Sequence, residues 1–172
     1  MTQQKQLERM AYYDPLTDLP NRRLFDKLVA QEISSIKRYG HEATLIILDI
    51  DDFKSINDTF GHPVGDNMLV QLGKLLNSNV RESDTVSRFG GEEYIILMPR
   101  TSLESGQAFA ERLRKLIMEE QFIVGSATIR ITCSFGVSIL SESNSDIDDY
   151  YLLADKALYL AKQNGKNRVE TA

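Results

Sequence analysis

The chain has 172 residues, a formal net charge of −5, 42% hydrophobic and 26% charged residues, as expected of a soluble globular protein. This length suits one domain that buries roughly two-thirds of its unfolded surface. The negative charge argues against nonspecific binding to nucleic acid or anionic membranes, and no apolar run approaches the roughly 20 residues of a membrane span. The single cysteine, Cys133, excludes an intrachain disulfide and suits the cytoplasm.

The N-terminal segment differs in composition from the rest of the chain. Residues 1–13 are rich in Gln, Lys, Glu and Arg, with Leu7, Met10 and Ala11 at helical spacing. This pattern predicts the end of a helical stalk or linker, followed by a folded domain over residues 14–172. Proline, aspartate and asparagine favour a turn over 14–21, because proline ends helices and the polar residues cap or bend the backbone.

From residue 22 onward, helical and strand-like patterns alternate. Apolar periodicity predicts helices at about 22–39, 65–79, 103–119 and 147–163. Strands are predicted at 43–49, in a hairpin at 85–98, at 122–124, at 127–139 and near residue 169. The resulting β-α-β-β-α-β order predicts an α/β (α+β) domain with a mixed central sheet, an antiparallel hairpin and helices packed around it.

Two adjacent glutamates follow a glycine pair in the predicted hairpin. Gly90 and Gly91 supply the positive φ angles of a tight turn, and Glu92 and Glu93 come next. Adjacent carboxylates beside a turn repel each other unless a cation or a proton relieves them. Alone, this pattern is more often a polar hairpin tip, so its significance depends on the rest of the sequence.

A second acidic cluster ends the first predicted strand. An apolar stretch delivers Asp49 to the sheet edge, where α/β proteins usually place functional groups. Asp49 and Asp51 share one face of an extended segment, and the Ile50 carbonyl is free to act as a third oxygen ligand. Such ligands suit Mg²⁺, although a loop of helix-capping aspartates is the alternative. Acids from two elements at one sheet edge favour two-metal phosphoryl transfer.

Read together, these motifs make the chain resemble the GGDEF family of diguanylate cyclases, with Tyr94 where Phe is usual. The resemblance covers Asp14 to Val169 and includes further motifs at Ser134–Ser138, Ala154–Lys162 and Gly165–Asn167. It implies a ferredoxin-like, nucleotidyl-cyclase-like core that joins two GTP molecules into cyclic di-GMP with release of two pyrophosphates. We expect the Tyr94 ring to pack as Phe would, with its hydroxyl at the surface.

The resemblance also implies a catalytic machinery. Asp49, the Ile50 carbonyl and Glu92 are expected to hold two Mg²⁺ ions per active site, with Mn²⁺ as a substitute. The metals would neutralise the triphosphate and lower the pKa of the attacking 3′-hydroxyl. Glu93 is a candidate proton acceptor, although the sequence does not decide between the two glutamates. Arg88 is a candidate for stabilising transition-state charge, with a structural cross-strand salt bridge as the alternative.

Phosphate-binding residues follow from the same resemblance. The turn Asp52-Phe53-Lys54 would offer backbone N–H groups to phosphate. Lys54, which is also a catalytic candidate, would act with Lys162 and Lys166 as a cationic clamp. Each of these lysines, taken alone, would more often be a solvated surface charge.

Three residues between the two acidic clusters are implied to contact the substrate. Asn57 and Asp66 resemble the pair that recognises the guanine edge, since a carboxylate accepts from donors that adenine lacks. Asp66 could instead cap a helix that begins after Gly65, or do both. His62 is either a substrate contact or a packed loop histidine.

A separate regulatory site is implied by Arg81 and Asp84. An Arg-x-x-Asp motif five residues before the glycine pair matches the inhibitory product site of the family, in which Arg binds the guanine edge or phosphate. On its own the motif is usually a surface ion pair worth about 0–1 kcal/mol.

Two functions from different classes are compatible with the sequence. The leading interpretation is an active diguanylate cyclase that works as a homodimer, with an upstream sensory or regulatory domain, where any membrane anchor would also lie. The alternative is a catalytically degenerate receptor for GTP or cyclic di-GMP, which the presence of Asp49, Glu92 and Glu93 disfavours. The expected partners are GTP, cyclic di-GMP as product and inhibitor, and a second copy; no nucleic acid or direct membrane contact is expected.

Overall fold

The fold is built from alternating helices and strands. The computed structural model describes residues 1–142 and 146–172. The strands are β1 (Ala43–Ile50), β2 (Thr85–Gly90), β3 (Glu93–Pro99), β4 (Phe122–Val124), β5 (Ala127–Ile129), β6 (Cys133–Leu140) and β7 (Val169–Thr171). The helices are α1 (Gln3–Tyr12), α2 (Arg22–Tyr39), α3 (Phe53–Phe60), α4 (His62–Asn79), α5 (Leu103–Glu119) and α6 (Ile147–Gln163).

The central sheet has the strand order β2-β3-β1-β6-β7. Its neighbours are antiparallel except β6 and β7, which are parallel. The predicted mixed sheet with an antiparallel hairpin is therefore confirmed. The strand predicted at 127–139 is wrong in one respect: it divides into β5, which pairs with β4 outside the central sheet, and β6. Thr132 lies between β5 and β6. It does not extend either strand, because its carbonyl and hydroxyl hydrogen-bond Asp51, which follows β1.

Helices cover both faces of the sheet and create two hydrophobic cores. One core, which includes Phe25, Ile47 and Tyr150, lies under α2 and α6. The other, which includes Leu48 and Leu72, lies under α3, α4 and α5. Because side chains alternate along a strand, consecutive residues of β1 and β3 belong to opposite cores. This alternation decides which acids meet at the sheet edge.

The boundaries of α2, α5 and α6 agree with the predicted helices, whereas α4 begins earlier than predicted. Gly61, with a φ of 90°, precedes the helix, and Pro63 occupies its first turn, where a missing N–H costs nothing. Asp66 therefore lies inside α4, so the alternative that it caps a helix starting after Gly65 is wrong. His62 is exposed at the first position of α4 and is not a packed loop histidine.

Tyr94 shows a second departure from expectation. Its side chain is completely buried, and its hydroxyl donates to the Leu69 carbonyl of α4 at 2.5 Å. The prediction of a surface hydroxyl is wrong because Tyr94 faces the core under α4, where a helix carbonyl supplies the partner that a buried hydroxyl needs. Burial raises the pKa of Tyr94 well above its ordinary value, so the hydroxyl stays protonated.

A close approach of α6 to the sheet fixes the height of that helix above the active-site edge. A Cβ built on Gly136 of β6 would lie 2.3 Å from the Ala154 carbonyl oxygen and 2.4 Å from the Leu158 nitrogen. Only glycine permits this contact between helix backbone and strand. Any larger residue at position 136 would push α6 away from the sheet, and α6 carries Asp155 and Lys162.

The N-terminal helix α1 buries none of its residues, and Leu7 and Met10 are exposed. The predicted helical character of residues 1–13 is confirmed. Among the described residues, no helix has the length and apolar character needed to cross a membrane.

Candidate active site

The signature hairpin differs in register from the simplest two-residue turn. Both glycines have positive φ, 102° for Gly90 and 51° for Gly91, as expected. Gly90 is the last residue of β2 and pairs with Glu93, with an irregularity between Arg88 and Gly90. The turn is formed by Gly91 and Glu92. Glu92 therefore stands at the tip, while Glu93 begins β3.

The acids of the two predicted clusters meet at one sheet edge. Asp49 at the end of β1 pairs directly with Glu93 of β3, so both side chains lie on the α2–α6 face. The Ile50 amide donates to the Glu92 carbonyl at 3.4 Å, which ties the hairpin tip to the end of β1. From α6, Lys162 places Nζ 2.7 Å from Asp49 Oδ2. The structure thus brings together the residues expected for metal binding.

The carboxylates at this edge are in an environment that disfavours their ionised forms. Burial raises the pKa of Asp49, and Glu92 and Asp51 add to that rise, while the bond from Lys162 opposes it. Burial likewise raises the pKa of Glu93, together with the charges of Asp155 and Asp49. Crowded, half-desolvated carboxylates favour a bound cation, because it removes both the repulsion and the burial penalty.

Asp51 has a different role from Asp49. Its carboxylate accepts from Thr132 Oγ1 at 2.7 Å, Ser134 Oγ at 2.6 Å and the Asn167 amide at 3.0 Å. These bonds join the end of β1 to β6 and to the loop after α6. Asp51 therefore anchors the end of β1, which carries Asp49 and Ile50, to β6 and to the loop after α6.

The loop after α6 brings a second lysine to the site. Lys166, in the left-handed region with a φ of 63°, places Nζ 2.7 Å from Asp52 Oδ1. Asp52, with a φ of 55°, precedes α3, and Phe53 is buried at the first position of that helix. Lys54 is exposed, and the described residues give it no hydrogen bond or ion pair. The predicted phosphate-binding elements thus surround the start of α3.

The donors at this edge fit Mg²⁺ or Mn²⁺. Asp49 and Glu92 are carboxylates and the end of β1 supplies a carbonyl, so all available ligands are oxygens. Within the described ranges, no group of three or more His, Cys, Asp or Glu side chains is arranged to hold a metal by itself. Mg²⁺ is usually bound through one or two carboxylates plus substrate phosphates, which agrees with this sparse set.

The expected guanine-recognising residues lie on two adjoining helices. Asn57 of α3 packs against α4 so closely that a Cβ on Gly65 would lie 1.9 Å from Asn57 Oδ1. Asp66 follows Gly65 directly and is exposed. Because Gly65 has no side chain, Asn57 can lie next to the turn of α4 that carries Asp66.

Arg88 is not part of the acidic edge, the sheet edge at which Asp49, Glu92 and Glu93 meet. It pairs with Tyr94, so it lies on the sheet face opposite Asp49 and Glu93. Its guanidinium donates to both carboxylate oxygens of Asp14 at 2.9 and 3.1 Å and twice to the Gly91 carbonyl. Arg88 therefore ties the hairpin turn to the segment after α1, through an ion pair with Asp14 that is not a cross-strand bridge, and its catalytic role stays a prediction.

Sequence reasoning missed two charged residues beside Glu93. Asp155 of α6 raises the pKa of Glu93, and the pKa of Asp155 is itself raised by burial. Arg22 at the start of α2 lowers the pKa of both carboxyls. The signal for Asp155 was its spacing of seven residues, or two helical turns, before Lys162. Arg22 belongs to the stretch from residue 14 onward that resembles the family, but nothing in the sequence pointed to Glu93, because only tertiary packing brings α2 to the hairpin.

The Arg-x-x-Asp motif lies in a separate cleft of about 890 Å³. Asp84 has no exposed side-chain surface and accepts from Arg81 Nε at 3.2 Å, Nη2 at 2.9 Å and the backbone amide at 2.9 Å. Arg81 is 55% exposed and also donates to Thr101 Oγ1 at 2.7 Å. In this arrangement Asp84 orients Arg81, and Arg81 is the member presented to the cleft.

Comparison with known proteins shows which family this chain resembles. The family described as "Diguanylate cyclase, GGDEF domain" matches residues 11–168. Diguanylate cyclase DgcP of Pseudomonas aeruginosa is 43% identical over 162 residues, which are 94% of this chain and 24% of DgcP. The chain spans between 24% and 45% of the length of the first two curated relatives.

Two solved structures extend the comparison. The coiled coil and GGDEF domain of DgcB from Caulobacter crescentus, in complex with c-di-GMP, has a TM-score of 0.91 and 29% identity, covering 98% of this chain and 90% of that one. The active GGEEF domain of a diguanylate cyclase from Vibrio cholerae has a TM-score of 0.80 and 39% identity, covering 89% and 97%. The fold, the acidic edge and these likenesses lead to one conclusion: the chain belongs to the GGDEF-domain family of diguanylate cyclases.

Proposed function

We propose that this chain is a diguanylate cyclase, which condenses two GTP molecules into cyclic di-GMP and releases two pyrophosphates. The observation that carries the proposal is the convergence of Asp49, Glu92 and Glu93 at one sheet edge, beside Lys162 and next to the start of α3. All the acids that the chemistry needs are present, which disfavours a degenerate receptor. The curated relatives named for this activity support the assignment.

In the proposed reaction, Asp49, the Ile50 carbonyl and Glu92 would hold two divalent ions. When bound, these ions would supply charge neutralisation at the α-phosphate and a lowered pKa for the attacking hydroxyl. Lys162 and Lys166 would bind the triphosphate after exchanging their carboxylate partners for phosphate oxygens. Glu93, whose pKa is raised, would accept the proton of the 3′-hydroxyl.

Base selection would come from α3 and α4. Asp66 would accept from the two adjacent guanine donors and Asn57 would bind the same edge. The exposed His62, at the start of α4, would contact the same nucleotide. GTP is therefore the proposed substrate, and ATP lacks the donors that Asp66 needs.

The product imposes a requirement on assembly. Cyclic di-GMP has two equivalent phosphodiester linkages, and each domain offers one nucleotide site. Two copies must therefore face each other so that each 3′-hydroxyl meets the other α-phosphate. The Arg81 cleft would bind the product and slow the enzyme, because an exposed, oriented guanidinium suits guanine or phosphate.

The proposal is tested by incubating the purified chain with GTP and Mg²⁺ and identifying the products by chromatography and mass. We expect cyclic di-GMP from GTP and no corresponding product from ATP. A chain that binds GTP in the presence of Mg²⁺ but leaves it intact at every protein concentration would instead support the receptor.

A further inference from the structure

Arg22 is held in a fixed position beside the acidic edge. Its guanidinium carbon lies 5.0 Å from the ring centroid of Phe89 and 5.5 Å from that of Tyr151. The two rings meet edge to face at 5.7 Å, and Phe25 packs against both. An arginine clamped over two aromatic rings loses little further freedom when it binds a ligand.

The polar capacity of Arg22 is unused. In the ranges 1–142 and 146–172 the structure gives Arg22 no hydrogen bond and no ion pair, although the side chain is exposed. By contrast, Arg88, Lys162 and Lys166 each bond a carboxylate. Arg22 is therefore a preoriented cation whose donors are free to bind.

The location of Arg22 indicates which ligand it serves. Its guanidinium lies over Phe89 of β2 and Tyr151 of α6, so it borders the side of the acidic edge formed by α2, α6 and the hairpin, where Glu93 begins β3 and α6 carries Asp155. Lys166 and the start of α3, which would bind the resident triphosphate, are tied together at Asp52. A second nucleotide that approaches Glu93 with its own phosphates meets two carboxylates, and their repulsion must be offset by a nearby cation.

We propose that Arg22 binds a phosphate group of the second nucleotide, the one that a facing copy of this chain presents to Glu93. The planar guanidinium suits bidentate contact with phosphate oxygens, which fixes orientation as well as charge. This role rests on the proposed function, since only a reaction between two bound nucleotides requires such a contact. Arg22 would thus contribute to alignment of the two substrates and not to retention of the resident one.

Arg23 provides a matched control. It occupies the same first turn of α2 and lies over the Tyr12 ring at 5.7 Å, next to α1. The variants Arg22→Gln and Arg23→Gln therefore remove the same charge at different places, together with two arginine–aromatic contacts at Arg22 and one at Arg23. Arg22→Lys keeps the charge but loses the planar fork.

The test separates binding of the resident nucleotide from turnover. Calorimetry with α,β-methylene GTP and Mg²⁺, at protein concentrations at which gel filtration shows a monomer, measures the resident site alone. We expect the affinity of all three variants to stay within about twofold of wild type. Turnover of GTP should fall about 10- to 100-fold in Arg22→Gln, less in Arg22→Lys, and within twofold of wild type in Arg23→Gln.

Two results would overturn the inference. One is turnover of Arg22→Gln within threefold of wild type; the other is a loss of analogue affinity that matches the loss of turnover, which would make Arg22 a contact of the resident nucleotide. If circular dichroism shows Arg22→Gln to be unfolded, Arg22→Lys decides: turnover indistinguishable from that of Arg23→Gln, or a loss of analogue affinity that matches the loss of turnover, would overturn the inference. A wild-type chain that makes no cyclic di-GMP would refute the proposed function and this inference together, whereas an active wild type with an active Arg22→Gln refutes only the inference.

Discussion

The acidic edge and the Arg81 cleft hold their charges in opposite ways. At the edge, burial and mutual repulsion raise the pKa values of Asp49 and Glu93, and Lys162 compensates Asp49 only in part. In the cleft, Asp84 is fully buried and accepts three bonds from Arg81, whose guanidinium remains 55% exposed. A bound cation would therefore stabilise the ionised carboxylates of the acidic edge, whereas the Arg81 cleft presents a cation to an anionic or acceptor-rich ligand.

The largest expected effect comes from removing the acids of the edge. Asp49→Ala or Glu92→Ala should lower cyclic di-GMP formation by about 1000-fold or more, because a lost metal ligand removes several kcal/mol of transition-state stabilisation. Initial rates measured by chromatography check this, with Glu119→Ala, an exposed carboxylate at the end of α5, as the control. Near-wild-type turnover in a folded Asp49 or Glu92 variant would contradict the assignment of the edge.

The base-recognition step should respond less strongly. Asp66→Ala should weaken GTP binding by roughly 1–3 kcal/mol and relax the preference for GTP over ATP, since guanine donors are left unpaired. Calorimetry with both nucleotides measures the change. Asp58→Ala, an exposed carboxylate on the neighbouring helix α3, should behave as wild type. An unchanged GTP/ATP ratio in Asp66→Ala would remove Asp66 from base recognition.

The cleft should affect inhibition and not catalysis. Arg81→Ala should weaken cyclic di-GMP binding by about 1–3 kcal/mol, the range for bonds to a charged group, and relieve product inhibition while the initial rate stays unchanged. Asp84→Ala should do the same by releasing Arg81, but it also leaves the Arg81 backbone amide unpaired, so Arg81→Ala is the cleaner variant. Binding and inhibition are measured beside Arg130→Ala, an exposed arginine elsewhere. Full product inhibition in Arg81→Ala would leave the cleft without a regulatory role.

The smallest effect on activity is expected at Asp14, whose carboxylate accepts from Arg88 and from the Thr17 amide and side chain. These bonds outweigh the effect of burial and lower the pKa of Asp14 below its ordinary value of 3.8. Asp14→Asn should therefore reduce the free energy of unfolding by about 1–3 kcal/mol at neutral pH. Because the pKa is lowered, the difference should persist above pH 4 and disappear as the pH falls through the folded-state pKa.

Denaturant unfolding of wild type and Asp14→Asn at several pH values checks this. A difference that stayed constant from pH 7 to pH 2.5 would contradict the role of the ionised carboxylate. Unaltered turnover in Asp14→Asn would further show that the ion pair between Asp14 and Arg88 contributes to stability and not to the chemistry of the acidic edge.

Much of the fold was predictable because the local patterns agree with the tertiary structure. The helices α2, α5 and α6 and the buried strand β1 have strong periodicity and clear caps, such as Asn21 and Ser102. The start of α4 was missed because Pro63 and Gly65 resemble a turn, whereas proline is well tolerated in a first turn. The hairpin was expected, but its exact turn depended on the pairing of Gly90 with Glu93.

The site was predictable only where sequence neighbours also act together. Asp49 and Glu92 were expected at one site because each belongs to a local motif beside a strand end, and the structure brings the two motifs together. The positions of Arg88, Arg22 and Tyr94 were not, because the sheet face of a side chain and its distant partner, such as Asp14 or Leu69, follow from register and packing. These contacts are set by tertiary structure, so no local spacing reveals them.

The most direct test of the central claim is the rate and stoichiometry of product formation from GTP and Mg²⁺ over a wide range of protein concentrations. Because α1 buries no residue and a helix of this length is marginal alone, we expect a mostly monomeric chain. Two facing sites then predict one cyclic di-GMP for every two pyrophosphates, with a rate per subunit that rises with concentration and increases on fusion to an upstream coiled coil. A constant rate per subunit in a demonstrated monomer, or any other product, would contradict the proposal of two facing half-sites.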